Sequence, residues 1–224
     1  MIFSRKHTQK SGDIVLKNTP NEVSELQFSA PHILDAAHTN SGYLLGQLLV
    51  ATPLITESCF HKSVVYIFNH TEEGAMGLIV NQPLDMIHFS ALIEGNQLPS
   101  DAAMRDIPVY LGGPVEKTRG FVIHSTDYTC DSLIMRDRDI AITASSNILL
   151  DIVKNKGPKH ALLAVGFAGW TAGQLEQEIA DNSWIHVPAS SALVFDTDNE
   201  HKWGAASKSL GVDMSFYSTA VGHA

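Results

Sequence analysis

The stretch VVYIFNHTEEGAMGLIVN, residues 64–81, decides the fold class of this chain. Two apolar runs of strand length, 64–68 and 76–80, flank a polar segment that holds two glutamates and a glycine. That order is typical of a β-hairpin. Because the apolar residues run together instead of alternating with polar ones, both faces of these strands should be covered by other parts of the chain. The stretch therefore predicts a sheet within a layered or barrel-like core.

Further strands and helices extend this core in both directions. Apolar runs bounded by Gly, Pro or Asn predict strands at 44–50, 109–111, 121–123 and 161–165. Helical periodicity marks 145–155, 171–181 and a segment from near 198 to 211. The first of these helices carries its apolar residues on one face, at Ile148, Leu149, Ile152 and Val153. Strands and helices mixed along one chain, with 16 glycines and nine prolines, favour an α+β fold.

The segment PVYLGGPVEKTRGFVIH, residues 108–124, repeats features of the opening stretch and is also predicted to be a hairpin. Asn81 aligns with His124 at the ends of the two stretches when one gap is allowed. An internal duplication and the shared physics of hairpins both explain the likeness. Gly113 precedes the turn, and Lys117 and Arg119 on it form the most basic spot of the core. A phosphate loop would need a second glycine that is missing here, so solvated charges on a tight turn are the competing interpretation.

Length and composition bound the domain organisation. At 224 residues, with 44% hydrophobic and 17% charged residues, the chain can bury one sizeable core. Residues 1–40 are polar, contain Pro20 and Pro31, and have no sustained strand pattern, so we expect a flexible N-terminal arm. The remainder, 41–224, is predicted to be a single domain.

Charge and cysteine content exclude several classes of function. The net charge of −9 repels polyphosphates, and no segment resembles a recognition helix, so direct nucleic-acid binding is not expected. Cys59 and Cys130 are far apart and lack a CxxC spacing, which argues against a disulfide framework or a zinc knuckle. No run of about 18 apolar residues occurs, and no signal-peptide pattern precedes residue 30. We therefore expect a cytoplasmic protein without a membrane span.

The best candidate site from the sequence is the segment VGFAGWTAGQLEQE, residues 165–178. It reads as a strand that meets a helix through a bend containing Gly166, Gly169 and Gly173. Backbone N–H groups at such a bend, together with the helix dipole, can bind phosphate or carboxylate. The spacing matches neither the dinucleotide fingerprint nor the phosphate loop. In the alternative interpretation the glycines only permit a tight turn, and Trp170 fills the core.

Polar side chains next to this bend could complete a pocket. Gln174 and Glu178 lie four residues apart on one helix face, with Trp170 and Trp184 flanking them. A solvated helix face explains the same spacing. The full set of candidate binding residues is Asn81, Gly113, Arg119, His124, Gly169, Trp170, Gly173, Gln174 and Glu178. No residue is assigned a catalytic role.

Common catalytic and metal motifs are absent. The eleven histidines include no HExxH pattern, and Cys59 with His61 supplies too few ligands, so no metal and no cofactor is expected. No GxSxG elbow occurs, although a triad could still assemble in space.

Several motifs, taken in order, resemble the AlgH/YqgE family of bacterial proteins. They are GQLLVATP (46–53), FHKSVVYIFNHTEEGAMGLIVNQP (60–83), VYLGGPVEKTRGFVIH (109–124), GFAGWTAGQLEQEIADNSW (166–184) and KWGAASKSLGVDMSFYSTAVGHA (202–224). The resemblance implies an α+β fold whose mixed, bifurcated sheet forms a partly open pseudo-barrel with helices packed outside. It also carries the label of transcriptional regulator, from a link to alginate regulation, and it assigns no biochemical activity.

Two functional hypotheses follow. The first is a binding or regulatory protein that acts on a small ligand or a protein partner through the pocket beside the glycine bend. The second is an enzyme, a hydrolase or transferase, whose site combines Asn81, His124 and Glu178. A close approach of His124 to a carboxylate would favour the enzyme.

Overall fold

The structure, a computed structural model, describes residues 43–84, 106–130 and 132–211. Within these ranges nine strands form one sheet. The strands are β1 (Gln47–Ala51), β2 (Val64–Thr71), β3 (Gly74–Ile79), β4 (Val109–Leu111), β5 (Val115–Ser125), β6 (Leu133–Asp137), β7 (Ile140–Thr143), β8 (Ala161–Thr171) and β9 (Trp184–Pro188). The helices are α1 (Ser146–Val153), α2 (Gln174–Ala180) and α3 (Asn199–Lys208), with a short π-helix at Ala192–Asp196. The predicted arm, 1–40, lies outside the described residues.

The sheet is mixed and divides in the middle of β8. Its strand order is β6-β7-β5-β8-β3-β2-β1-β9, and β4 also pairs with β8. One edge of β8 pairs with β5. Its other edge pairs first with β4, in parallel, and then with β3, antiparallel. All other pairings are antiparallel. This is the bifurcated arrangement that the family resemblance implies.

The sheet curls so that one of its faces closes on itself. The hydroxyl of Tyr66 on β2 donates to the sulfur of Met135 on β6 at 3.5 Å, although four strands separate β2 from β6 in the sheet. The inner face forms one continuous apolar cluster with members on all nine strands. The outer face carries two separate clusters. When a sheet curls, side chains on its inner face come together and those on its outer face move apart. One inner cluster and two separate outer clusters therefore indicate a half-barrel.

Two of the helices cover the outer face. Helix α1 begins after Ser145, whose side chain accepts a hydrogen bond from the Asn147 amide, and it buries the four apolar residues that the sequence places on one face. Helix α2 buries Leu175 in the other outer cluster, which also contains Trp170 and Trp184. Helix α3 and the π-helix instead contribute Ala206 and Val194 to the inner cluster.

The glycines of the family motifs let two backbone segments touch where the sheet divides. A Cβ atom on Gly113 would lie 2.1 Å from the carbonyl carbon of Phe167, and one on Gly112 would lie 2.2 Å from the carbonyl oxygen of Gly166. Gly112 also joins the two branches, because its N–H donates to Val165 and its C=O accepts from Ile79. These glycines therefore maintain the branch point.

Three sequence-based expectations about secondary structure were wrong. Residues 108–124 do not form a hairpin, because β4 and β5 pair with opposite edges of β8 and not with each other. The strand expected to end at 165 continues to Thr171, since Gly169 and its neighbours pair with β3. Helix α2 accordingly starts at Gln174, not at 171, and Gly173 is its N-cap. Strands β6, β7 and β9 were missed because each is only four or five residues long, which is too short for a clear apolar pattern.

Candidate functional site

The glycine bend expected to bind an anion is much shorter in the structure, because only Ala172 and Gly173 lie between β8 and α2. Gly166 and Gly169 lie within β8, and the backbone of Gly169 pairs with Met76. Gly173 adopts a left-handed conformation with a φ of 73° as it caps α2, a helix of only seven residues. The strand continues because both of its edges have partners, which stabilise an extended backbone more than the glycines destabilise it.

Trp170, Gln174 and Glu178 do come together, as the sequence suggested, but they form a filled hydrogen-bond network. The indole N–H groups of Trp170 and Trp184 both donate to Oε2 of Glu178, at 2.9 Å and 2.8 Å. The side-chain amide of Gln174 donates to Oε1 of the same carboxylate at 3.0 Å. The Glu178 carboxylate accepts three protein donors and thereby ties α2 to β8 and β9. These hydrogen bonds give each of the four side chains, Trp170, Gln174, Glu178 and Trp184, a partner within the network.

The other predicted binding residues lie apart from this network. Arg119 donates to Glu116 at 2.7 Å and its guanidinium lies 5.7 Å from the centroid of the Phe121 ring, so Arg119 is locally paired. Gly113 belongs to the backbone contact at the branch point. Asn81 accepts from the Val64 amide and donates to the Lys62 carbonyl, each at 2.8 Å, and thereby fixes the end of β3 against the start of β2.

His124 lies at the other end of β5 and is completely buried. Its ring nitrogens contact the Thr143 hydroxyl at 2.9 Å and the Ser125 carbonyl at 3.0 Å, and neither partner is a carboxylate. Burial lowers the pKa of its imidazole. The enzyme hypothesis groups Asn81, His124 and Glu178 together. In the structure each of these residues has its own set of partners.

A cleft of about 900 Å³ lies between α3 and the adjoining ends of β2 and β3. Its volume falls in the range of small-molecule sites, about 300–1,000 Å³. The lining residues are His61, Lys62, Asn81, Gln82, Pro83, Asn199, Glu200, His201, Trp203, Gly204, Ala205 and Lys208. Trp203 is held by an indole N–H donated to the Ala51 carbonyl at 2.7 Å, and the ammonium of Lys62 lies 5.6 Å from the centroid of its ring. The cleft therefore has a fixed aromatic wall with a cation beside it.

A buried lysine lies immediately beneath this cleft. Lys202 is 1% exposed, and its ammonium donates to the carbonyls of Val80 and Val194 at 2.7 Å and 2.9 Å. It also donates to Oδ1 of Asn199 at 3.3 Å. No carboxylate of the described ranges lies within ion-pair distance of it. Desolvation without a counter-charge lowers the pKa of Lys202 to about 8.

Asn199 connects this lysine to the cleft. Its Oδ1 atom accepts from Lys202 and also from the hydroxyl of Tyr110, at 3.0 Å. Two donors on the oxygen fix the orientation of the amide of Asn199, which is one of the residues that line the cleft. Donation from an ammonium to the oxygen also polarises the amide and strengthens the NH₂ group as a donor.

The electrostatic character of the cleft differs from that of the whole protein. Lys62 and Lys208 line it, Lys202 lies below it, and Glu200 is the one carboxylate among its lining residues. The chain as a whole carries a net charge of −9. A local excess of positive charge within an acidic protein attracts small anions while the surrounding surface repels large polyanions. Among the described residues, no group of three or more His, Cys, Asp or Glu side chains could hold a metal ion.

A family model described as AlgH-like matches residues 48–215. The chain belongs to the AlgH-like family. Its AlgH-like relatives include a UPF0301 protein of Bradyrhizobium sp. strain BTAi1, 44% identical over 196 residues that cover 84% of this chain and 91% of the relative. Another is a UPF0301 protein of Thioalkalivibrio sulfidiphilus, 42% identical over 186 residues that cover 83% of this chain and all of the relative.

Solved AlgH-like structures share the fold. The solution structure of the AlgH protein from Pseudomonas aeruginosa matches with a TM-score of 0.66 and 34% identity, over 84% of this chain and 99% of that one. A crystal structure of a Corynebacterium diphtheriae protein matches with a TM-score of 0.61 and 22% identity, over 79% and 92%, and shows the fold alone. In this AlgH-like chain, no helix of the described part is long and apolar enough to cross a membrane.

Of the predicted binding residues of this AlgH-like protein, Asn81 lines the cleft, but the sequence did not predict the cleft itself. The sequence feature that could have indicated the cleft was Lys202. It lies four residues before Ala206 on the same helix face, and a lysine that shares a face with buried residues has an unusual environment. One partner of Lys202, the carbonyl of Val194 in the π-helix, is eight residues away, but the other, the carbonyl of Val80 just after β3, is 122 residues away. Only the folded chain brings them together.

Proposed function

We propose that this protein is a cytoplasmic binding protein for a small organic anion, which occupies the cleft beside α3 and through which the protein exerts a regulatory effect. The observation that carries the proposal is the Lys202–Asn199–Tyr110 arrangement. It places an amide of fixed orientation, Asn199, in the lining of the cleft, backed by a buried positive charge that has no protein counter-ion among the described residues.

The lining argues for an anion with an apolar or aromatic body. Trp203, Pro83 and Ala205 supply apolar surface, whereas the charged groups are few. They are Lys62, Lys208 and Glu200. A mostly apolar cleft with a small number of placed polar groups is typical of small-molecule sites. A carboxylate would accept from the Asn199 amide in a charge-assisted hydrogen bond, and the ring of the ligand would lie against the indole of Trp203.

Titration with benzoate tests this proposal, with benzamide as the uncharged analogue of the same shape. The chain contains three tryptophans, and only Trp203 lines the cleft, whereas Trp170 and Trp184 both donate to Glu178 on the outer face. In amide NMR spectra we expect benzoate to shift the indole signal of Trp203 and leave the other two in place. Benzamide should shift it much less, because it lacks the charge.

Matched substitutions test the role of the cations. The double variant Lys62→Met, Lys208→Met should bind benzoate about tenfold more weakly, since each exposed charge contributes up to about 1 kcal/mol. Lys154→Met changes one positive charge in the same way at an exposed position after α1, outside the cleft, and should leave binding unchanged. Equal responses to benzoate and benzamide, or shifts of all three indoles, would contradict an anion site in this cleft.

A further inference from the structure

A second cluster of reactive side chains lies where the ends of β5 and β7 pair, apart from the cleft. The sulfur of Cys130 is 3.2 Å from the hydroxyl oxygen of Thr143. That hydroxyl is 2.9 Å from Nε2 of His124. On the other side of the ring, Nδ1 of His124 is 3.0 Å from the backbone carbonyl of Ser125. Thiol, hydroxyl, imidazole and carbonyl therefore form one continuous row.

The chemistry of the end groups fixes the direction of the hydrogen bonds. A carbonyl oxygen can only accept, so Nδ1 of His124 carries the proton that bonds to Ser125. In the neutral ring Nε2 is then an acceptor, and the hydroxyl of Thr143 donates to it. With its proton directed at His124, the oxygen of Thr143 accepts from the thiol of Cys130. The row is thus oriented as a proton path from Cys130 to His124.

The surroundings keep the imidazole in the form that accepts a proton. His124 and Thr143 are both fully buried, and burial lowers the pKa of the imidazole. The charges near it are Asp127, which acts to raise the pKa, and Arg136, which acts to lower it. The ring of Tyr128 packs edge-on against it with centroids 5.9 Å apart. The imidazole is therefore held in one orientation by packing and by the Ser125 carbonyl.

Cys130 is the accessible end of this row. Its thiol is free and the residue is half-buried, in contrast to the two fully buried residues behind it. In covalent catalysis a cysteine is activated by a nearby base that a further group holds in orientation. Here the hydroxyl of Thr143 links the thiol to the base, His124, and the carbonyl of Ser125 orients the imidazole ring. Cys59 is also free and half-buried, and burial raises the pKa of its thiol.

We propose that Cys130 is a nucleophilic modification site, activated through Thr143 by His124, that reacts with small uncharged soft electrophiles such as alkyl halides and Michael acceptors. In the reaction with an alkyl halide the sulfur forms a bond to carbon and halide leaves with the electron pair of the broken bond. The thiol proton passes to the Thr143 oxygen while the hydroxyl proton of Thr143 passes to Nε2 of His124. His124 then releases a proton to solvent.

Iodoacetamide, followed by mass spectrometry of the two cysteine peptides, tests this proposal on the full chain. Cys59 is an internal reference for reagent and for any general opening of the fold. At neutral pH we expect Cys130 to be alkylated faster than Cys59. Thr143→Val keeps the shape of the side chain but removes the relay hydroxyl, and it should slow alkylation of Cys130 by about tenfold or more, as general-base assistance is lost.

Controls separate the relay from a structural effect. Thr143→Ser retains the hydroxyl and should restore most of the Cys130 rate, whereas the Cys59 rate should be the same in all three proteins. A Thr143→Val protein that alkylates Cys130 at the wild-type rate would overturn the proposal. If that variant does not fold, the wild-type comparison decides, because equal rates at Cys130 and Cys59 would also overturn it. None of these readouts involves the cleft, so this result and the test with benzoate are independent.

Discussion

Replacing Lys202 by methionine should change how the stability of this protein depends on pH. The ordinary pKa of a lysine is 10.5, and burial without a counter-charge lowers that of Lys202 to about 8. Between these two values the folded protein holds a neutral amine while the unfolded chain is still protonated. The unfolded state therefore binds more protons, and the free energy of unfolding rises with pH over this window.

The magnitude follows from the difference between the two pKa values. Each pH unit between them is worth about 1.4 kcal/mol, so Lys202 adds about 3 kcal/mol of stability between about pH 8 and about pH 10.5. Cys59, whose pKa is raised by burial, acts in the opposite direction above its ordinary value of 9.0. That contribution is common to the wild type and the variant, so it cancels when the two are compared.

Urea unfolding monitored by tryptophan fluorescence, at several pH values from about 7 to about 10.5, measures the effect. The wild type should gain about 3 kcal/mol relative to Lys202→Met across this range. Lys208→Met, an exposed substitution on the same helix, should track the wild type. A constant difference between wild type and Lys202→Met would show that Lys202 is not a desolvated charge, and the electrostatic argument for the cleft would fail with it.

Further substitutions test the branch point and the outer face. Gly113→Ala places a methyl group against the backbone of β8 and should lower the free energy of unfolding by about 3 kcal/mol or more. In Gly173→Ala the methyl group meets nothing within 4 Å, so only the left-handed backbone opposes it, at a cost of about 1 kcal/mol. Equal effects in chemical denaturation would refute the close contact. Glu178→Gln weakens the bonds to the indoles of Trp170 and Trp184 and should cost about 1–2 kcal/mol. In NMR spectra the signals of those two indoles should move while that of the cleft tryptophan stays, and an immobile pair would contradict the shared carboxylate.

Local sequence patterns predicted those parts of the fold that are stabilised by contacts between residues close together in the chain. The hairpin at 64–81 and helix α1, with its Ser145 cap and apolar face, follow from residues that contact near neighbours in the chain. The pairing of Trp170, Gln174 and Glu178 was also predictable, because helix spacing and a short turn bring these side chains close. The role of these side chains was not predictable, since the same groups can either line a pocket or fill it.

Periodicity and short-range spacing act within a few residues, so the sequence alone determined the α+β class and the polar groups at 170–178. The family followed from the resemblance of several ordered motifs, not from periodicity. The tertiary structure decided that the glycines serve a branch point, that β4 and β5 separate onto opposite edges of β8, and that Lys202 lies beneath a cleft. Those features depend on which distant segments share hydrogen bonds. The ammonium of Lys202 bonds to a carbonyl 122 positions away, and a contact of that range leaves no local pattern in the chain.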